Sequence, residues 1–180
     1  MPVPEAKLEQ AGGGLVPAAD GWFVVNVADA QGMRNERAGT YVGFEGELRF
    51  PDFGISVHVL EPGQANGLYH SESVQEGFLV LYGECLVLIE GQERTLRAWD
   101  FVHCPPGTRH IFVGAGDGPC AILMVGARTD DEQVLFLKSE LAARYGASAE
   151  ETTPDPKQAY ARFERDERGH PASWDRLPWA

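Results

Sequence analysis

No apolar run in this chain approaches the roughly 18 residues that a membrane-crossing helix needs. The first ten residues, MPVPEAKLEQ, show no basic segment followed by an apolar one, so no secretion signal is expected. Positive charge is scarce. A formal net charge of -12 and a pI near 4.8 argue against nucleic acid or a membrane surface as partner, since both require basic patches. No DNA-binding motif is present either. Cysteine is rare and odd in number: Cys85, Cys104 and Cys120, each in or beside an apolar segment, with spacings of 19 and 16 residues and no C-x-x-C knuckle. Those spacings exclude the usual zinc-finger pattern, and buried reduced thiols in a cytoplasmic protein are the expected reading.

What the chain does have is the composition of one globular domain: 180 residues, 43% hydrophobic and 23% charged. Three zones are expected. Residues 1–20, rich in Ala, Gly and Pro, read as a flexible N-terminal arm. Residues 21–130 alternate short apolar runs with turn signals, the runs starting at Trp22, Thr40, Ile55, Phe78, Leu86, Phe101, His110 and Ala121. Around eight short strands at that spacing imply an all-β antiparallel sandwich or barrel. Residues 131–180 change character. Val134, Leu137, Leu141 and Tyr145 recur at helical spacing and end before Gly146, predicting a helix over 131–145. A second short helix is expected after Pro156, and the tail from Pro171 to Trp179 is expected to dock on the barrel or on a neighbouring subunit.

Two imidazoles and a carboxylate carry the chemistry: His70 and Glu76 within HSESVQEGFLVLYG, and His110 at the end of PPGTRH. Such a set leaves a divalent metal with open coordination positions, unlike a closed four-ligand structural site. Spacing adds a constraint. On one straight strand His70 and Glu76 would lie roughly 20 Å apart at about 3.3 Å per residue. Shared ligation therefore demands a bend between Ser73 and Gln75, with His110 arriving from another strand.

Residues 63 to 114 resemble the two sequence motifs of the cupin superfamily, small jelly-roll barrels. In the first motif, His70 takes the leading His position, Glu76 the Glu and Gly83 the closing Gly; in the second, Pro105, Gly107 and His110 match the centre. The resemblance implies a cupin-type double-stranded β-helix, a bound divalent ion (Zn, Fe, Mn or Ni) and a homodimer. This chain departs from the pattern at four places. Glu72 stands where the second ligand His is expected, Gln64 and Trp99 replace the opening glycines, and Gly114 replaces a final Asn.

The expected metal ligands are His70, Glu72, Glu76 and His110. Glu72 is open between a fourth ligand that could also accept a proton, an acceptor for a ligand imidazole, and a solvated rim carboxylate. His58 shares a face with Ser56 that could be the barrel lumen, although an ordinary hydrogen-bonded strand histidine is the first reading. His103 and Cys104, adjacent on a strand, point to opposite faces and so cannot act as base and nucleophile. His170 reads as a surface residue. Function is expected to be a metal-dependent oxygenase, isomerase or lyase acting on a small polar organic molecule. The alternative is a non-catalytic cupin that binds or senses a small ligand.

Overall fold

Alternating inward and outward side chains build two antiparallel sheets that face each other. The computed structural model describes residues 1–35, 38–47 and 49–179. A hairpin of β1 (Leu8–Ala11) and β2 (Gly14–Pro17) precedes them. The chain then forms β3 (Gly32–Asn35), β4 (Gly39–Gly43), β5 (Phe53–Leu60), β6 (His70–Glu72), β7 (Glu76–Tyr82), β8 (Glu84–Ile89) and β9 (Gln92–Arg97). After these come β10 (Phe101–Cys104), β11 (His110–Ala115), β12 (Cys120–Ala127) and β13 (Val134–Phe136). Two one-turn helices, α1 (Glu140–Ala143) and α2 (Pro156–Ala159), lead to β14 (Glu167–Arg168) and a final 3-10 turn at Trp174–Arg176. One sheet runs β10-β7-β12-β5-β4-β3-β14 and the other β13-β6-β11-β8-β9.

Between the sheets, Phe78 and Val80 of β7, Val87 of β8, Phe112 of β11 and Ile122 of β12 form the central core with all three cysteines. Each fully buried side chain of this size contributes about 1.5–3 kcal/mol. Cys85, Cys104 and Cys120 are free and buried, as expected. The outer faces are covered by chain from both ends. Val57, Val59 and Ala121 of the larger sheet pack under Val25, Val27, Ala30, Trp174, Leu177 and Trp179. Ile111 and Val113 of the smaller sheet pack against Ala142 and Ala147. The tail thus docks on the barrel, its Trp174 indole stacked on His170 at 3.9 Å and donating to the Ala28 carbonyl.

Four local expectations need correction. Residues 8–17, read as a flexible arm, form the β1–β2 hairpin, and Leu15 bridges Ala30. The Trp22 run is not a strand beyond a single bridge to Glu5: it lies across the larger sheet, and the Asn26 side chain accepts from Ala28 N to start a turn. Val134–Phe136 is a strand rather than the first turn of a helix, because β6 offers it a free edge and Phe136 pairs opposite His70. The helix starts only where Ser139 caps it, its hydroxyl accepting from Ala142 N. His170 is no free surface residue; its Nε2 lies 3.0 Å from the Ala30 carbonyl. No helix among the described residues is long and apolar enough to cross a membrane.

Candidate metal centre

The site is assembled across the two sheets. β6 and β11 are antiparallel neighbours with His70 directly opposite His110, so both rings leave the smaller sheet toward the larger one. The chain then breaks at residues 73–75 and re-enters as β7, paired with β10 and β12 in the larger sheet. That bend, required by the spacing argument, turns Glu76 back toward the histidines. One donor atom from each of His70, Glu76 and His110 lies within 4.8 Å of the others, and His110 Nε2 is 3.6 Å from Glu76 Oε2. Two donors each 2.0–2.2 Å from one ion can be at most about 4.4 Å apart, so that pair has the separation of shared ligation.

Hydrogen bonding prepares both imidazoles for a cation. His70 Nδ1 lies 2.7 Å from the Leu68 carbonyl and His110 Nδ1 lies 3.0 Å from that of Thr108. A carbonyl can only accept, so each Nδ1 carries the proton and each Nε2 keeps its lone pair for the cluster. The loop before His110 is itself fastened: Gly107 N donates to the Glu72 carbonyl at 2.7 Å, and Arg109 donates from N and Nε to the Glu90 carboxylate. Gly107 sits at φ 82°, a left-handed conformation that glycine adopts without strain. Trp99, in place of the motif's opening glycine, takes the same kind of conformation at φ 76° and is 74% exposed.

Without a cation the cluster is neutral. Burial and the neighbouring His70 push the His110 imidazole down to about 4, and burial lowers His70 as well. The Glu76 carboxyl goes the other way, pushed up to about 8 by burial and by the charges of Glu72 and Glu132. Two neutral imidazoles beside a carboxyl that resists ionisation are the chemistry expected of ligands awaiting a positive charge. The donor set therefore fits a divalent metal ion.

Exposure sets the direction of approach. The His110 side chain is 2% exposed, Glu76 11%, His70 16% and Glu72 23%, so the cluster opens past His70 and Glu72. It opens into a cavity of about 450 Å³. Tyr41, His58, Asn66 and Glu132 line this cavity too, and none was singled out as a ligand contact from the sequence. Asn66 is held by its Oδ1, which accepts from Phe112 N, while Glu132 enters from the loop after β12 with no motif to mark it. Arg128, the cavity's arginine, is gripped by both carboxylate oxygens of Glu45 and donates to the Phe50 carbonyl.

Of the four expected ligands, three come together. Glu72 lines the same cavity with Oε1 3.8 Å from His70 Nε2, outside the close cluster formed by the other three. Burial and the charge of Glu132 push its carboxyl up. His58, first read as a hydrogen-bonded strand histidine, instead faces the cavity, and its buried Nδ1 has no partner. His103 is exposed and Cys104 buried on opposite faces of β10, as strand geometry demands.

Comparison with known proteins places this geometry in context. Residues 56–126 match the family model of the cupin domain. No curated protein matches the chain. Among solved structures, the polyketide cyclase RemF from Streptomyces resistomycificus is similar at 17% identity, over 66% of this chain and 88% of that one, with a TM-score of 0.54. That likeness is one of fold. A cupin-superfamily sugar phosphate isomerase from Silicibacter pomeroyi is similar at 25% identity, over 63% of this chain and 68% of that one, with a TM-score of 0.49. A protein from Acidithiobacillus ferrooxidans matches at 25% identity and a TM-score of 0.47 over 54% of this chain, which spans 65% of its length.

Proposed function

With residues 56–126 this chain belongs to the cupin superfamily, and we propose that it binds one divalent metal ion through His70, Glu76 and His110 and acts there on a small polar organic molecule. The observation that carries this reading is the mutual approach of the three donor atoms to within 4.8 Å, with both imidazoles already held in the ligating tautomer. The cavity of about 450 Å³ is of a size that suits a small molecule.

His110 and Glu76 form the buried base of the site, and His70 closes its outer side. The rings of Phe78 and Phe136 pack on the two histidines, 5.0 Å from His110 and 6.1 Å from His70. These contacts restrict ring rotation and keep water from the inner side of the donors. A bound ion would polarise a substrate oxygen and stabilise negative charge developing on it. Glu72, at the open side, is placed to accept a proton from a bound molecule or to join the ligand set. Oxygenase, isomerase and lyase chemistry all use such an arrangement, and two histidines with one carboxylate suit Fe(II) while a second carboxylate favours Mn(II) or Zn(II).

The test is metal content by elemental analysis, on protein purified without added metal and again after incubation with Fe(II), Mn(II), Ni(II) and Zn(II). About one ion per chain is the expected result. Near-zero occupancy in every case would sink the proposal. Oxygen uptake by anaerobically loaded Fe(II) protein, over a panel of small hydroxy and keto compounds, then separates oxygenase from isomerase or lyase activity.

A further inference from the structure

His58 is the one cavity histidine outside the metal cluster. On β5 the alternation sends Ser56 and His58 into the cavity, while Val57 and Val59 go to the covered outer face. Tyr41 stands opposite His58 in the β4–β5 register, and the two rings stack with centroids 5.8 Å apart at 26°. His70, His110 and His170 each set one ring nitrogen against a backbone carbonyl. His58 has no such anchor: its Nδ1 is closed to solvent and unpartnered among the described residues. A buried polar atom left without a partner costs about 1–3 kcal/mol and calls for a reason. The ring stacks on Tyr41, and no hydrogen bond among the described residues commits Nδ1 elsewhere. Burial keeps it neutral, with its pKa pushed down to about 4, so it offers one donor and one acceptor.

The remaining cavity wall narrows what the ring would meet. The charge of Arg128 is paired with the Glu45 carboxylate, and Arg128 also donates to the Phe50 carbonyl, while Glu72 and Glu132 add negative charge. Away from the metal end, no other arginine or lysine among the described residues lines the cavity to neutralise a phosphate or carboxylate. We propose that His58 is a ligand-contacting residue that hydrogen-bonds an uncharged, oxygen-bearing small molecule whose other oxygen lies at the metal. Tyr41 is the positioning residue that holds the ring. This inference rests on the metal reading above.

The experiment uses the full chain with ring-¹⁵N histidine, followed by NMR first on adding Zn(II) and then on adding hydroxyacetone, a small uncharged molecule with two oxygens. Zn(II) is expected to shift the His70 and His110 ring nitrogens, and hydroxyacetone then to shift those of His58. In His58→Leu the loaded protein is expected to bind hydroxyacetone about 5–10-fold more weakly, the loss of one hydrogen bond. Zn(II) affinity should stay within about twofold, and His58→Gln should recover part of the loss. If Zn(II) moves His70 and His110 but hydroxyacetone leaves the His58 ring unmoved, or His58→Leu binds it as tightly as the native chain, the assignment of His58 is overturned and the metal reading stands. If Zn(II) leaves His70 and His110 unmoved, both fall together.

Discussion

His70 and His110 face each other across the β6–β11 pairing with ring centroids 4.9 Å apart, each tied through Nδ1 to the carbonyl two residues before it. The repeated i−2 bond gives the two rings the same tautomer and turns both Nε2 lone pairs toward Glu76. Two imidazole lone pairs and a carboxyl converging in a buried space can all bond one divalent cation once Glu76 gives up its proton.

Removal of the deepest ligand is the first test of that arrangement. His110→Ala is expected to abolish stoichiometric metal binding, with affinity falling at least about 100-fold. The fold should survive, because the sheets close on the Phe78–Val87–Phe112–Ile122 core independently of the ion. Elemental analysis and circular dichroism check both halves. One metal per chain in the variant would show that the ligands lie elsewhere.

Glu72 and Glu76 are expected to separate under the same measurement. Glu76→Gln removes a donor from the close cluster and should cost metal affinity as His110→Ala does. Glu72→Gln acts at a carboxylate 3.8 Å from His70 Nε2 and outside that cluster, so affinity should change by less than about tenfold. A loss as large as that of Glu76→Gln would make Glu72 a fourth ligand.

Metal binding should release a proton. In the metal-free protein Glu76 titrates near 8, so at pH 7 its carboxyl is protonated, whereas a ligating carboxylate must be ionised. His110, pushed down to about 4, is already neutral there and releases none. Affinity is therefore expected to rise about tenfold per pH unit from pH 5.5 toward 8 and to level off above it. Calorimetry in two buffers of different ionisation enthalpy counts the protons. Zero protons released at pH 7 would mean that Glu76 is not the group being displaced.

Much of this was legible before any coordinates. The β5, β7, β8, β10, β11 and β12 segments carry the apolar alternation or runs that name a strand, and the spacing of His70 and Glu76 required the bend at residues 73–75. β9 escaped notice because QERTLR is polar and exposed on nearly every residue, leaving hydrogen bonds to β8 as its only strand signal. Val134–Phe136 read as helix because sequence periodicity does not see the free edge of β6. Tyr41, Asn66 and Glu132 reach the cavity from three distant segments, and no local pattern links them to His70. His58 was visible as a lumen candidate, but only the missing hydrogen bond sets it apart from an ordinary strand histidine.

Trp99 offers a stability test at a position the motif reserves for glycine. Its φ of 76° is costly for a side chain with a Cβ, by about 1–2 kcal/mol, while glycine carries an entropy cost of about 0.5–1 kcal/mol. Trp99 is 74% exposed and recovers little by burial. Trp99→Gly is therefore expected to raise stability by up to about 1 kcal/mol in urea denaturation. A loss of that size would show that the exposed indole makes a contact worth more than the backbone strain.

The tail supplies the last prediction, and it separates stability from the site. Trp174 is 9% exposed, stacked on His170 and packed at 4.9 Å against Trp179, over the outer face of the larger sheet. Trp174→Ala should remove about 3–5 kcal/mol of stability, the usual cost of emptying a buried aromatic site. The cavity lies on the inner face of the same sheet, where Ser56 and His58 alternate with the Val57 and Val59 that Trp174 covers. Folded Trp174→Ala is therefore expected to keep one metal per chain while its urea midpoint falls. A loss below about 1 kcal/mol would mean that the tail rests on the sheet without stabilising it. Loss of metal from the folded variant would mean instead that the covered outer face governs the geometry of the site within.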